Sequence, residues 1–248
     1  GHAARVLPYE ANVARLGTTG TLSIATADPE GSALRTDDDR AAPRRNTDTD
    51  TSLLDVDAVL ARIIPNGSLE QIIYRVDALH WIESRGIPVI NSPRAIERSV
   101  DKFYTTALLH DAGLPVPDTI VCERLEDAMA AVRAMGEVVI KPLFGSMGHG
   151  LVRVSDPEVA FRIVRALEQI KAVFYVQRAI PHEGRDIRVL VVGGRPLAAI
   201  ERRAADGDWR ANVSRGATAH AIELPARWAD LAVGAAAAVG ADYAGVDL

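Results

Sequence analysis

The stretch IKPLFGSMGHG, Ile140 to Gly150, ends an apolar run on a lysine and follows it with glycines at 145, 148 and 150. Glycine lets backbone N–H groups approach an anion with no side chain in the way, and a lysine beside such a loop adds a fixed positive charge. Together they suit a nucleotide phosphate. The order of the parts excludes two common phosphate loops. In a Walker A loop the lysine follows the glycines and a helix opens, and in a Rossmann fingerprint a helix starts at the last glycine. Here Lys141 comes first and residues 151–154 read as extended. The stretch is therefore strand, glycine loop, strand. It is either a plain hairpin whose loop needs positive φ, or a lid that folds over phosphates.

Working outward, the pattern alternates helices and short strands. Helices are expected over 125–135 and 157–169, the second with Asp156 as N-cap and Pro157 in its first turn. Strands are expected at 137–142, 151–154, 173–178, 186–193 and 196–203, the last two joined by a Gly193-Gly194 turn. A strand near 218–222, an alanine-rich helix over 226–239 and a strand at 243–248 follow. Upstream, VDAVLARII (56–64) reads as a buried strand and IPVI (87–90) as a short one. Between them Ser68 and Gln71 have capping-box spacing, and Leu69, Ile72, Ile73, Val76 and Leu79 recur at helical spacing. This is a βαβ-like unit suited to a parallel sheet. Two helices are expected between Asn91 and Ile120, stopped at Gly113 and Pro115. Residues 1–52 are rich in Asp, Thr, Arg and Ala with few large apolar groups, and read as loop or disorder.

Composition narrows the function classes. A net charge of −5 and a pI near 5.7 give no broad basic field for nucleic acid or anionic lipid. The longest apolar run, Leu231 to Val239, is too short to span a bilayer. A single cysteine, Cys122, cannot form an internal disulfide, and no secretory signal is visible, so the cytoplasm is the expected compartment. No His, Cys, Asp or Glu cluster has zinc spacing. His80, His110 and Cys122 read as packing or surface residues.

With Lys102 in SVDKFYTTALLHDAGLPVP the order becomes familiar. One lysine lies on a helix before GLPVP and a second, Lys141, ends the strand before the glycine loop. FYVQRAI, GRDIRVLVVGGRPLAAIERRA, DWRANVSRGA and YAGVDL follow in turn. This order, over about residues 55–248, resembles the ATP-grasp superfamily and within it the RimK-type glutamate ligases. DALHWIESRGIPVINSPRAIERSVDKFYTTALLHDAGLPVPDT looks most like the tetrahydromethanopterin-cofactor group.

The resemblance implies an α/β (α+β) class and an ATP-grasp fold. A small N-terminal α/β domain would fill residues 1–97, a central domain 98–176, and an incomplete C-terminal domain 177–248. It implies an ATP-dependent ligase. ATP would phosphorylate an acceptor carboxylate, and the amine of L-glutamate or a similar amino acid would displace phosphate to leave an amide. The acceptor would be a small molecule or a peptide, with no role for nucleic acid or membrane; self-association is left open. Lys102 and Lys141 would contact the phosphates. Gly145, Ser146, Gly148 and Gly150 would form the phosphate lid. Gln177, Arg178 and Ala179 would be the hinge whose backbone pairs with adenine, although the family often carries glutamate where Arg178 stands. Asp186 would sit near the nucleotide, and Arg210 and Asn212 would reach the phosphates. Asp247 would be the first ligand of Mg²⁺, with Mn²⁺ as a substitute.

Arg188 and Arg203 lie on neighbouring strands and by resemblance face the reaction centre, where their forks would hold carboxylate or acyl phosphate. The plainer reading makes them a solvent face. Arg202 is expected to point away from Arg203.

The chain starts Gly1-His2 and stops at Leu248, one residue after Asp247. In the family a Glu-x-Asn motif further on completes the metal site, so the expectation is a chain that binds nucleotide and ligates poorly. Two other classes remain open: a nucleotide-binding module without catalysis, and an ATP-grasp kinase with a hydroxyl acceptor. Release of ADP with and without glutamate separates them from a ligase.

Overall fold

A computed structural model describes Ala4, Leu7 and residues 12–15, 21–24, 51–65, 67–145, 149–213 and 216–248. Ser146 and Gly148 lie outside the described residues, as does most of the polar tract expected as loop. The chain divides into two units, Gly1–Pro93 and Arg94–Leu248.

In the first unit, β1 (Asn12–Arg15), β2 (Thr21–Ile24) and β3 (Thr51–Ser52) form an antiparallel sheet in that order. These strands correct the expectation of loop throughout 1–52. Each is four residues or fewer, too short to show a period-2 pattern, and the pairing rests on backbone hydrogen bonds around the fully buried Leu22. β4 (Val59–Leu60) pairs parallel with β5 (Val89–Ile90), with α1 (Leu69–Ser84) as the crossover. Here the buried strand expected over 56–64 shrinks to two residues. Its partner is two residues long, and pairing ends where the Ala61 N–H donates to the Ile90 carbonyl. Leu60 and Ile63 are consequently exposed. The capping box at α1 forms as spaced: the Gln71 N–H donates to Ser68 Oγ at 3.2 Å and the Ser68 N–H to Gln71 Oε1 at 2.9 Å. Val76, Leu79 and Ile82 form its buried stripe, while Leu69 and Ile73 lie outside it.

α2 (Pro93–Val100) leads into the second unit. It continues with α3 (Lys102–Asp111), β6 (Thr119–Cys122), α4 (Leu125–Met135), β7 (Val138–Lys141), β8 (Val152–Val154), α5 (Pro157–Gln169) and β9 (Phe174–Arg178). The four strands pair antiparallel in the order β6-β9-β7-β8. Side chains alternate along a strand, so one face is apolar throughout. Val138, Ile140, Phe174 and Val176 point to that face and pack on Ala128, Val132, Ala160 and Val164 of α4 and α5. The opposite face therefore carries Val139, Lys141, Tyr175, Gln177 and Thr119.

β10 (Arg185–Val192), β11 (Arg195–Arg203), β12 (Thr218–Ala221), α6 (Ala226–Val239) and β13 (Tyr243–Asp247) build a second antiparallel layer, ordered β12-β11-β10-β13. Ile187, Val189, Val191 and Ala199 pack on Ala232 and Ala236 of α6. A small-residue helix lets helix and sheet approach closely, which suits its alanine run. Gly240 closes α6 in the left-handed conformation, φ 76°. No helix among the described residues is long and apolar enough to cross a membrane.

Candidate functional site

The face of β6-β9-β7-β8 away from α4 and α5 is where the polar side chains gather. A cavity of about 170 Å³ is lined by Val139, Lys141, Leu151, Arg153, Gln177, Arg178, Ala179, Ile180, His182 and Trp209. The strand end before the glycine loop and the segment after β9 thus meet in one cavity, although they lie far apart in sequence. The Lys141 ammonium donates to Gln177 Oε1 at 2.6 Å and sits 5.9 Å from the Tyr175 ring centroid. Burial, with a lesser contribution from the charge of Lys102, pushes the Lys141 amine down to about 8.

Lys102, the first residue of α3, faces the start of the glycine loop. Its Nζ donates to the Gly145 carbonyl at 2.8 Å and to that of Leu143 at 3.4 Å. Burial lowers its pKa against the opposing pull of Asp101. Gly145 and Gly150 both hold positive φ, 120° and 71°, and a Cβ on Gly150 would come 3.3 Å from Pro142 Cγ. Both positions therefore require glycine.

The segment expected to pair with adenine is partly committed within the protein. The Arg178 N–H donates to the Asp118 carbonyl at 2.8 Å and the Ala179 N–H to that of Glu137 at 3.0 Å. Recognition of a base edge would fall to carbonyls here or to the next N–H, that of Ile180. The Arg178 side chain leaves the polar face: its Nε donates to Asp118 and its Nη1 to the Met135 carbonyl, each at 2.9 Å. Arg153 across the cavity is likewise occupied, as a fork on Glu137 at 2.8 and 2.9 Å.

A second constellation lies on the face of the other sheet away from α6. Arg188 forks onto Asp247 at 2.7 and 2.8 Å. Arg202, 3% exposed, forks onto Asp186 at 2.6 and 2.7 Å and reaches Asp247 at 3.0 Å. Burial alone would depress the Arg202 pKa, but Asp186 and Asp247 together outweigh it and hold it above the usual value.

Arg203 is on the other face, where it pairs with Glu201 at 2.5 Å. The expectation that Arg188 and Arg203 share a face is corrected by a β-bulge. Counting back from the Gly193-Gly194 turn, an unbroken ladder would put Arg203 on the Arg188 face. The register shifts by one residue between Leu190 and Val191, so that Leu190 pairs with Ala198 and Asp186 with Arg202. The extra residue turns the end of β11 over and presents Arg202 beside Arg188. Arg202 is the functional candidate that sequence reasoning passed over, because a bulge has no reliable sequence mark.

The loop between β11 and β12 carries Arg210 and Asn212. Arg210 forks onto its near neighbour Asp208 at 2.9 and 3.0 Å, and the Asn212 carbonyl accepts from the Ala217 N–H at 3.4 Å. Trp209 joins the first cavity and tilts against His182, with ring centroids 6.4 Å apart. No group of three or more His, Cys, Asp or Glu side chains converges as a metal cage among the described residues.

The RimK-like ATP-grasp domain family matches residues 99–248. The tetrahydromethanopterin:alpha-L-glutamate ligase of Methanosarcina acetivorans is 39% identical over 207 residues, which are 79% of this chain and 64% of that protein. A probable alpha-L-glutamate ligase of Sodalis glossinidius is 34% identical over 195 residues, 77% of this chain and again 64% of the relative. The chain thus spans less than two thirds of the length of these relatives. Among solved structures, the ATP-grasp ligase PsnB complexed with minimal precursor, Mg and ADP is similar at TM-score 0.55 and 27% identity, covering 72% of this chain and 54% of that one.

Proposed function

We propose, on the premise that this chain belongs to the RimK-like ATP-grasp family, that it takes part in ATP-dependent ligation of L-glutamate to an acceptor carboxylate. The observation that carries the reading is the cavity in which Lys141, Leu151, Gln177, Arg178 and Ala179 meet. An apolar slot beside an uncompensated lysine suits a purine with its phosphates. Lys141 and Lys102 would hold those phosphates, and Gly145 and Gly150 would let backbone approach them. Arg210 and Asn212, in the loop that carries Trp209 to the cavity, would reach the same phosphates.

The chemistry then has two steps. A carboxylate oxygen of the acceptor attacks the γ-phosphorus, the bond to the β-phosphate oxygen breaks, and ADP leaves. The glutamate nitrogen attacks the acyl carbon, phosphate leaves, and the nitrogen loses a proton to give the amide. Both steps bring anions together, and fixed cations offset the charge that develops. Arg188 and Arg202 are the forks available on the second sheet for a carboxylate or acyl phosphate. Asp247 is the carboxylate suited to Mg²⁺, which usually takes one or two carboxylates with phosphate and water oxygens completing its shell. Bound there, the ion would neutralise phosphate charge. Asp247 would have to loosen its fork with Arg188, which would free that guanidinium for substrate. The resemblance to the methanopterin ligase makes a pterin-type cofactor tail the preferred acceptor.

Calorimetric titration with ADP in the presence of Mg²⁺ tests the nucleotide site. ADP release with and without glutamate then tests the reaction. Failure of ADP to bind would sink the reading. Release that needs a hydroxyl compound and no amino acid would make the protein a kinase.

A further inference from the structure

We propose that the side-chain amide of Gln177 is a positioning residue for Lys141. Through it, a one-way chain of hydrogen bonds fixes the two ammonium groups of the nucleotide site relative to each other. The inference rests on the nucleotide reading of that cavity, but its geometry stands apart from it.

Every proton in the chain can be assigned. Thr106 Oγ1 donates to the Lys102 carbonyl at 2.7 Å, so it can only accept from the Tyr175 hydroxyl, 2.7 Å away. Tyr175 has then spent its proton and accepts from Gln177 Nε2 at 3.1 Å. Thr119 Oγ1 gives its proton to the Pro117 carbonyl at 2.8 Å and accepts the other Nε2 proton at 2.8 Å. Both amide protons are committed, and Oε1 is left facing the Lys141 ammonium at 2.6 Å. Turning the amide over would set its NH₂ against an ammonium and its oxygen against two hydroxyl oxygens with no proton to give. The orientation is therefore locked from both sides. The chain runs from Lys141 through Gln177, Tyr175 and Thr106 to the backbone of Lys102, whose own ammonium holds the Gly145 carbonyl.

A neutral acceptor at this point has a purpose that a carboxylate would defeat. Beside Lys141 stand Lys102 on α3, Arg153 on β8, Tyr175 on β9 and His182 after β9, while the Arg178 guanidinium turns away to Asp118. Glu137 is held by Arg153 and Asp118 by Arg178. The Gln177 carbonyl orients the Lys141 ammonium without cancelling it, which leaves the charge for an incoming phosphate. Lysine is rare in this chain, occurring only at 102, 141 and 171 against many arginines. Two of the three stand at this site, where a compact point charge fits a single acceptor better than a planar fork.

The low lysine count makes the test direct. In the 248-residue chain labelled with ¹³C-lysine, the three Cε signals are followed against pH for the wild type and for Gln177→Glu, Gln177→Leu and Tyr175→Phe. The Lys141 midpoint should lie near 8 in the wild type. Gln177→Glu should raise it by about one unit or more, since an opposite charge in contact favours the ammonium. Gln177→Leu should lower it, and Lys171 should not move in any variant. Tyr175→Phe, which spares Lys141 and Gln177 but removes both hydrogen bonds of the Tyr175 hydroxyl, should weaken ADP binding by about 3- to 10-fold. If Gln177→Leu does not fold, Gln177→Glu and Tyr175→Phe still decide. A Lys141 midpoint that ignores the charge at 177 overturns the proposal, as does Tyr175→Phe with unchanged ADP affinity. If the wild type binds no ADP, the nucleotide reading fails, while the titration of Lys141 still judges the positioning by Gln177.

Discussion

The two sheets of residues 94–248 are built alike, four antiparallel strands with helix on one side, yet they treat charge in opposite ways. On the open face of β6-β9-β7-β8 a half-buried lysine is met by an aromatic ring and by an amide that two hydroxyls hold in turn. On the open face of β12-β11-β10-β13 the two central arginines are met by carboxylates: Arg188 by Asp247, Arg202 by Asp186 and Asp247. The first face stores an unanswered positive charge and is ready to receive an anion. The cluster on the second is already neutral, and a ligand there must exchange partners. On the function proposed above, the contrast separates a surface that would capture from one that would rearrange.

Breaking the neutral face should cost most. Arg202→Ala leaves Asp186 and Asp247 facing each other without their shared cation, and loss of one partner of a buried pair costs about 3–5 kcal/mol. Both carboxylates are partly exposed, so the expected loss is nearer 2–3 kcal/mol, read from urea denaturation. A loss under about 0.5 kcal/mol would mean that solvent, not Arg202, neutralises the pair.

Removing the charge on the other face should do the opposite to stability. Lys141→Met should weaken ADP binding by about 1.5–3 kcal/mol, roughly 10- to 150-fold, for a lost charge-assisted contact. The same variant should unfold at higher urea, by about 1 kcal/mol, because burying the ammonium is costly. Calorimetry and denaturation on one preparation check both halves, and a variant that loses stability would remove the contrast.

The pH dependence sharpens the point. Lys141 titrates near 8 folded and near 10.5 unfolded, so between those values the unfolded chain binds more protons. Stability contributed by this group therefore rises with pH through that window, while ADP affinity falls as the ammonium is lost. Denaturation and titration at pH 7, 8 and 9 should show the two trends crossing. The smallest effect is expected from Arg203→Ala, within about 0.5 kcal/mol in stability, since the Arg203 side chain is exposed and Glu201 keeps Arg185 at 3.8 Å.

How much of this was legible follows from what each feature depends on. Helix limits were local matters of capping and spacing, and α4, α5 and α6 fall where Asp156, Pro157 and the apolar stripes put them. Lys141 and the Gln177–Ala179 segment could be paired from their order along the chain. β1, β2 and β3 could not be read, being two to four residues long, whereas β4 and β5 were legible as parts of longer apolar runs. The side-chain role of Gln177 was hidden because its partners, Thr106, Thr119 and Tyr175, come from three elements. Arg202 was hidden by the bulge, which only the completed hairpin reveals.

That bulge also sets how β11 responds to the loss of a codon. Leu197 is the residue opposite no partner, and it is 69% exposed. Deleting it would leave Pro196 against Val191 and Ala198 against Leu190, the same pairs as now, with the hairpin merely made regular. Deleting any single residue from Ala199 to Glu201 would instead turn over the rest of the strand and carry Arg203 to the place of Arg202. Along these nine residues, reading-frame-preserving deletions divide by position rather than by the side chain removed.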